Sequence, residues 1–287
     1  MMRSVVPVLT VVGAIFALWY LAAIWLNAPW AYDKAERAGV ELSVSELVAD
    51  TWAQDKPKLP APHQVAVEIW ETTVEKKITS KRSLIWHSWV TLSATLLGFA
   101  LGTGLGILLA VGIVFNTVMD RSVMPWVITS QTIPILALAP MIIVVLNAVG
   151  ISGLLPKAMI SMYLSFFPVV VGMVKGLRSP EVMQLDQMRT WNASASQTFW
   201  RLRLPASMPY LFASLKVGVA ASLVGAIVGE LPTGAVAGLG ARLLAGSYYG
   251  QTIQIWSALI MAAALAAVLV ALIGLIQRVT LQRMGMA

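Results

Sequence analysis

The chain has 287 residues, 58% hydrophobic and 11% charged, with a mean hydropathy of +0.79 and a formal net charge of +7. That apolarity excludes a soluble domain and predicts an integral membrane protein, and the lack of cysteine excludes disulfides, thiol catalysis and cysteine-ligated metal or iron-sulfur centres. The positive charge is topological: residues 28–83 hold 8 Lys/Arg and 9 Asp/Glu, whereas the remainder holds 12 and 4, mostly beside apolar runs, which is not a nucleic-acid surface.

Residues 1–27 are predicted as an uncleaved first transmembrane helix. The apolar run 5–26 exceeds the roughly 7–15 residues of a signal-peptide core, and no small-x-small cleavage site follows it. Trp19, Trp25, Trp30 and Tyr32 gather towards its outer end, as interfacial aromatics do. Residues 28–83 form an extracytoplasmic segment broken by Pro57, Pro60 and Pro62. Within it an amphipathic helix is predicted over 64–74, with Val65, Ile69 and Thr72 or Thr73 on one face and Trp70 beside them. This helix lies on the membrane or contacts a partner; the mixed charge at 75–82 favours a solvated helix end. His63 and His87 read as loop or interface residues, too few for a histidine-rich metal site.

The second span, 84–115, opens with Trp86 and Trp89 and carries Gly98, Gly102, Gly104, Gly106 and Gly112, a density of small residues that lets helices approach closely in lipid. A phosphate cradle is rejected, because no Lys-Ser/Thr follows the glycines and no Walker A pattern occurs in the chain. Asp120 and Arg121 mark a short aqueous turn. The third span, 123–149, is predicted as one helix kinked at Pro134 and Pro140, with Gln131 near the kink; the kinks either open a cavity or are packing irregularities. A tight turn at 150–156 leads to the fourth span, 154–174, collared by Lys175 and Arg178.

Residues 178–210 are a polar island between spans. Ser179-Pro180-Glu181 reads as a helix start, with the helix ending near Trp191 and Asn192 turning the chain in the left-handed region. Ser194 and Gln197 have capping-box spacing for a second short helix bearing Phe199, Trp200 and Leu202, which Pro205 and Pro209 are expected to stop. By local chemistry alone this is either a docking knob or a solvated loop. The fifth span, 211–228, ends at Glu230, which is either an interfacial carboxylate or a pathway residue. The sequence Glu230-Leu231-Pro232-Thr233-Gly234 opens a Gly-rich re-entry carrying Tyr248 and Tyr249, before a sixth span over 253–276. Grouping Arg3, Arg121, Lys175, Arg178, Arg189, Arg201, Arg203, Arg278 and Arg283 on one side places both termini and the knob in the cytoplasm.

Asp186-Gln187-Met188, then Asn192, then Leu202-Arg203-Leu204-Pro205 fall at the spacing of the cytoplasmic loop of ATP-binding-cassette importer permeases: Glu-Ala-Ala, three residues, Gly, nine residues, Ile-x-Leu-Pro. Asp stands for Glu, Gln-Met for Ala-Ala, Asn for Gly and Leu for Ile. The chain resembles that family over about 84–284, and its nitrate, sulfonate and taurine branch through Gln131 to Pro140 (QTIPILALAP), Phe166-Phe167-Pro168, Gly176-Leu177-Arg178-Ser179 and Gly229-Glu230. The resemblance implies an all-α polytopic protein of about six transmembrane helices with the type I importer (MetI-like) core, in a bacterial inner membrane. It implies no cofactor on this chain and no ATP hydrolysis by it. ATP belongs to a cytoplasmic ATPase dimer, which works with a solute-binding protein and a second permease copy or paralogue.

Asp186, Gln187, Met188, Trp191, Asn192, Phe199, Trp200, Leu202, Leu204 and Pro205 are then the expected coupling residues, and Gln131, Pro134 and Glu230 the expected pathway residues. The branch also carries pyrimidine thiamine precursors, and the Gly-Glu-Leu-Pro-Thr-Gly loop favours such a heterocycle over a sulfonate, taurine or nitrate. The competing class is an ion-coupled secondary transporter, which the near absence of charge within the spans disfavours. No cluster suggests a membrane enzyme.

Overall fold

The computed structural model describes residues 2–232, 235 and 237–286, with side chains from residue 6 onward. The side chain of Arg3, and Thr233 and Gly234 of the outer loop, lie outside the described residues. Among the described residues five helices are long and apolar enough to cross a membrane, and a bent pair makes a sixth crossing if it counts as one broken span.

The chain divides into two compact units. The first comprises residues 1–87 and 241–262. Its helix α1 (Met2–Ala38) runs well beyond the apolar stretch expected to end near Asn27. A helix stops where its backbone is capped, not where its side chains turn polar. Here the stop is Gly39, at φ +67°, with Val40 N–H returning to the Ala35 carbonyl. Helix α2 (Val44–Ala53), which the sequence reading missed, starts on a Ser43/Glu46 capping box. Helix α3 (Pro62–Trp70) continues as a π-helical turn, Glu71–Glu75, close to the predicted 64–74 helix. Fully buried Asn27 clips this segment to α1: its amide donates to the carbonyls of Thr51 and Leu59, and its oxygen accepts from the N–H groups of Lys58 and Leu59.

The second unit comprises residues 88–240 and 263–287. It contains most of α4 (Leu84–Phe115), then α5 (Thr117–Ser130), α6 (Ile135–Ala148), α7 (Leu154–Leu177), α8 (Val182–Thr190), α9 (Ala195–Thr198) and α10 (Leu204–Glu230). Helix α11 (Leu239–Tyr249) and helix α12 (Thr252–Arg283) complete the chain. The Tyr248/Tyr249 region is therefore the end of a helix.

Three expectations need correction. The third span is not one kinked helix: α5 and α6 meet at 101°, because Pro134 disfavours helical geometry at Ile133 and the chain leaves the helix over 131–134, while Pro140 sits inside α6 without breaking it. Asp120 and Arg121 are not an aqueous turn but lie in α5, capped by Asn116, whose side chain accepts from Val118 and Met119 N–H. Pro205 and Pro209 do not stop the second knob helix. The helical run passes from Ala195 through a π-helical turn, Phe199–Arg203, into α10, with Leu204 N–H bonded to the Phe199 carbonyl. The wider π register relieves the clash that the Pro205 ring would meet in a regular α-helix.

Three of the five α4 glycines named from the sequence admit a neighbouring helix as expected, while Gly104 faces open space. Gly98, Gly102 and Gly106, four residues apart on one face, lie against Ser161, Ser165 and Val169 of α7, so close that a Cβ at any of them would meet these side chains under 3 Å. The same closeness recurs between α7 and α10, where Gly172 meets Ser214, Gly176 meets Ser207 and Gly225 meets Ser161. Around these contacts Ile113, Val169, Val170, Met173 and Leu177 form a buried core. In Gly98→Ala the new Cβ would stand 2.3 Å from Ser161 Cβ and 2.6 Å from the Ala158 carbonyl oxygen. The expected cost is about 1–3 kcal/mol. Gly104→Ala enters open space and should be neutral or stabilising by up to about 1 kcal/mol. Thermal unfolding midpoints of the two variants in detergent check this contrast.

Candidate functional site

The polar island folds as a helical knob. Its first helix, α8, starts at Val182 rather than at Ser179: Glu181 is the N-cap, its N–H held by the Gln184 side chain at 3.1 Å, while the Ser179 hydroxyl donates to the Gly176 carbonyl and closes α7. Trp191 is the C-cap and Asn192 adopts φ +52°, alone in the left-handed region among the described non-glycine residues. Ala193 N–H bonds the Met188 carbonyl at 3.0 Å, which completes the turn. Ser194 then caps the next helix, with Ser194 N–H on Gln197 Oε1 at 2.8 Å and Gln197 N–H on Ser194 Oγ at 3.2 Å.

The knob is bolted to the ends of the spans. Arg203 donates to the Leu177 carbonyl at 2.8 Å and lies over the Phe115 ring; Phe199 meets Phe115 edge-on at 5.7 Å between centroids; Arg178 pairs with Asp120 at 2.8 Å. These contacts gather the end of α4, the start of α5, the end of α7 and the root of α10. Phe199 and Leu204 are half-buried and pack on the apolar core. Trp191 and Trp200 do remain exposed, joined by Val182 and Met183, which the sequence reading missed. Two consecutive apolar residues opening an otherwise polar helix were the available signal. A cleft of about 420 Å³ lies between α8 and the π-helical turn, lined by Gln184, Gln187, Met188, Trp191, Gln197 and Arg201 among others. Leu202 also lines it, half-buried; Asp186 is exposed and pairs with Arg189 at 2.9 Å, and Pro205 sits at the knob's root in the first turn of α10.

The three expected pathway residues do not form one cluster. Gln131 caps the end of α5 and Pro134 the start of α6. Ile143 and Asn147, towards the far end of α6, line a cavity of about 370 Å³ with Lys157, whose Nζ stands 4.0 Å from Glu230 Oε1. Glu230 itself has no exposed surface, which corrects the solvated interfacial reading. Its carboxylate accepts from the Thr91 hydroxyl at 3.0 Å and from Gly240 N–H at 2.8 Å, in the first turn of α11. A carboxylate there completes free amides and suits the positive dipole end. Thr91 in turn accepts from Leu239 N–H at 2.8 Å. Gly238 leaves no room for a Cβ, which would stand 2.2 Å from the Glu230 carboxyl carbon. Thr91 and Lys157 have no local signal in the sequence, since their partner Glu230 lies tens of residues away, whereas Gly238 and Gly240 follow it by 8 and 10 positions in the Gly-rich loop.

Asn192→Val should cost about 1–2 kcal/mol in the knob while Asn192→Gly should cost little, because a branched Cβ is opposed in the left-handed region; rates of limited proteolysis within 182–203 compare them. Glu230→Ala should cost about 1–3 kcal/mol by leaving buried donors unmatched, and Glu230→Gln less, as read by thermal unfolding.

Over residues 102–286 the sequence matches the family described as binding-protein-dependent transport system inner membrane component. It is 34% identical over 183 residues, 63% of this chain and 68% of the relative, to the formylaminopyrimidine transport permease protein of Halalkalibacterium halodurans. Identity is 29% over 221 residues, 77% of this chain and 78% of the relative, with the riboflavin transport system permease protein of Chloroflexus aurantiacus. It is 23% over 219 residues, 75% and 76% of the two chains, with the nitrate import permease protein of Leptolyngbya laminosa. The chain therefore belongs to the binding-protein-dependent transport system inner membrane component family, as a permease of the ATP-binding-cassette importers, which sets ion-coupled secondary transport aside.

Proposed function

We propose that the knob at 182–203 is the surface through which a cytoplasmic nucleotide-hydrolysing dimer moves the spans, and that the solute passed is a small nitrogen heterocycle handed over by a binding protein. One observation carries the coupling reading: a short helix, a left-handed Asn192 and a capped second helix present Trp191, Trp200, Val182 and Met183 outward, while Phe199 and Arg203 anchor the same knob to the ends of α4 and α7. A push on the exposed face reaches the span ends through Phe115 and Leu177. Exposed tryptophans are the residue type that dominates association energy when covered.

The same contacts support a cytoplasmic location for the knob. Asp120, Arg178 and Arg203 are brought together, so Arg121, Lys175, Arg178, Arg189, Arg201 and Arg203 fall on one side of the membrane. A basic excess in short loops marks the cytoplasmic side. Both termini follow from an even number of crossings. A second permease, as copy or paralogue, completes the pathway on this reading.

The cargo reading rests on relatives. The formylaminopyrimidine and riboflavin permeases are 34% and 29% identical to this chain, against 23% for the nitrate permease, and both named solutes are nitrogen heterocycles. Uptake by the assembled importer in proteoliposomes, driven by ATP without an ion gradient, should be seen with formylaminopyrimidine and not with taurine or nitrate; the reverse ranking would overturn the heterocycle. Asn192→Pro should abolish uptake while the chain still inserts and ATP is still hydrolysed, and normal uptake by it would sink the coupling role. Trp191→Ala with Trp200→Ala should weaken ATPase association by about 2 kcal/mol or more, roughly thirtyfold, measured by co-purification against ATPase concentration.

A further inference from the structure

Helix α3 and its π-helical extension expose an apolar stripe that nothing in the transport mechanism uses. Val67, Trp70, Val74 and Ile78 are 53%, 61%, 58% and 61% exposed, whereas Val65 and Thr72 on the other side are buried. The roll that turns this stripe outward is fixed by a largely buried ion pair: Arg242 holds Glu68 at 2.7 Å and also donates to the Arg82 carbonyl at 2.9 Å.

The height of the stripe is fixed as well. At its start, the Trp19 indole donates to the Pro60 carbonyl at 2.9 Å and Tyr20 stacks on His63, so α3 begins beside the aromatic belt of α1. At its end, two compact turns close through Ser80 N–H on Lys77 and Ser83 N–H on Ser80, and the His87 ring bonds the Lys81 carbonyl at 2.9 Å. These turns lead straight into the membrane-crossing helix α4, whose first turns expose Trp86 and Trp89. Both ends of the stripe are therefore tied to a helix long and apolar enough to cross a membrane. Lys76, Lys77, Lys81 and Arg82 surround it, all exposed, against Glu71 and Glu75. An apolar face with an aromatic and a basic rim is the chemistry of an element lying in the headgroup layer.

We propose that the Val67–Trp70–Val74 face of α3 and its π-helical turn, with Ile78 in the turn beyond it, lies in the bilayer headgroup layer, with the 76–82 basic cluster on anionic lipid phosphates. The occupant is lipid and not a protein partner, because the stripe is tied at both ends to membrane-crossing helices and its rim carries net positive charge. This assignment requires only that the chain spans a membrane, and stands whether or not the coupling and cargo readings do.

The chain has no cysteine, so single sites can be spin-labelled in the full-length protein. Val67→Cys, Val74→Cys and, as an aqueous control on α2, Val44→Cys would be labelled in nanodiscs of phosphatidylethanolamine with phosphatidylglycerol, and again in phosphatidylcholine alone. Collision with oxygen should exceed collision with a nickel chelate at 67 and 74, and the order should reverse at 44. Moving to phosphatidylcholine, or making Lys76→Gln with Lys77→Gln, should shift both labels towards water. Nickel accessibility at 67 and 74 equal to that at 44 would overturn the proposal, as would shielding from both reagents, which would mean protein cover. A depth unchanged by lipid charge and by the lysine substitutions would overturn the headgroup assignment.

Discussion

The close approach of α4, α7 and α10 is the constraint on which the transport core depends. In hydrocarbon there is no water to satisfy a loose backbone and little hydrophobic gain from pressing one helix on another, so helices hold together by dispersion over matched surfaces and by hydrogen bonds made inside the protein. Glycine supplies the matching surface here and serine supplies the bonds. Gly98, Gly102 and Gly106 admit the backbone of α7, while the Ser222 hydroxyl reaches the Thr95 carbonyl at 2.8 Å and those of Ser207 and Ser214 turn back on their own helix. A bulkier residue at these glycines would separate the helices that carry both the knob and the Glu230 node.

Helix α10 links those two places. From Ala195 to Glu230 the chain is helical throughout, 36 residues including the π-helical turn, which at about 1.5 Å per residue is a rod of roughly 50 Å. One end is packed through Phe199 and Arg203 against Phe115 and Leu177. At the other, Glu230 receives Thr91 from α4 and Gly240 from α11, beside Lys157 of α7. On the proposed reading, displacement at the cytoplasmic end is conveyed along a rod whose far end is tied to the outer loop, so Glu230 is a positioning carboxylate rather than a group that meets solute.

Much of this was legible in local sequence. Asn192 at a helix end, Ser194 three residues before Gln197, and glycines spaced by four along 98–106 each state a backbone requirement that neighbouring residues alone decide, and the structure keeps all three. Leu84–Phe115 has the predicted boundaries because apolarity and helix coincide there. Where they part company the reading failed: α1 outruns its apolar stretch to Gly39, and the π-helical turn at 199–203 lets helix pass a proline expected to end it. Residue roles that depend on distant partners were hidden. Nothing near Phe199 in the chain announces Phe115, 84 positions earlier, against which its ring packs, and nothing near Glu230 announces Thr91, whose hydroxyl it accepts from.

The coupling account stands on the outward face of the knob, and the most direct measurement is site-specific photo-crosslinking from that face. Trp200 would be replaced by benzoylphenylalanine in the full-length chain within its native membrane, with the same substitution at Phe166, buried in the core, as the inward control. The account predicts a crosslink from position 200 to a nucleotide-binding subunit, with a yield that changes when ATP is added or exhausted, and none from position 166. A knob that crosslinks only to lipid or to its own chain, whatever the nucleotide, would contradict it.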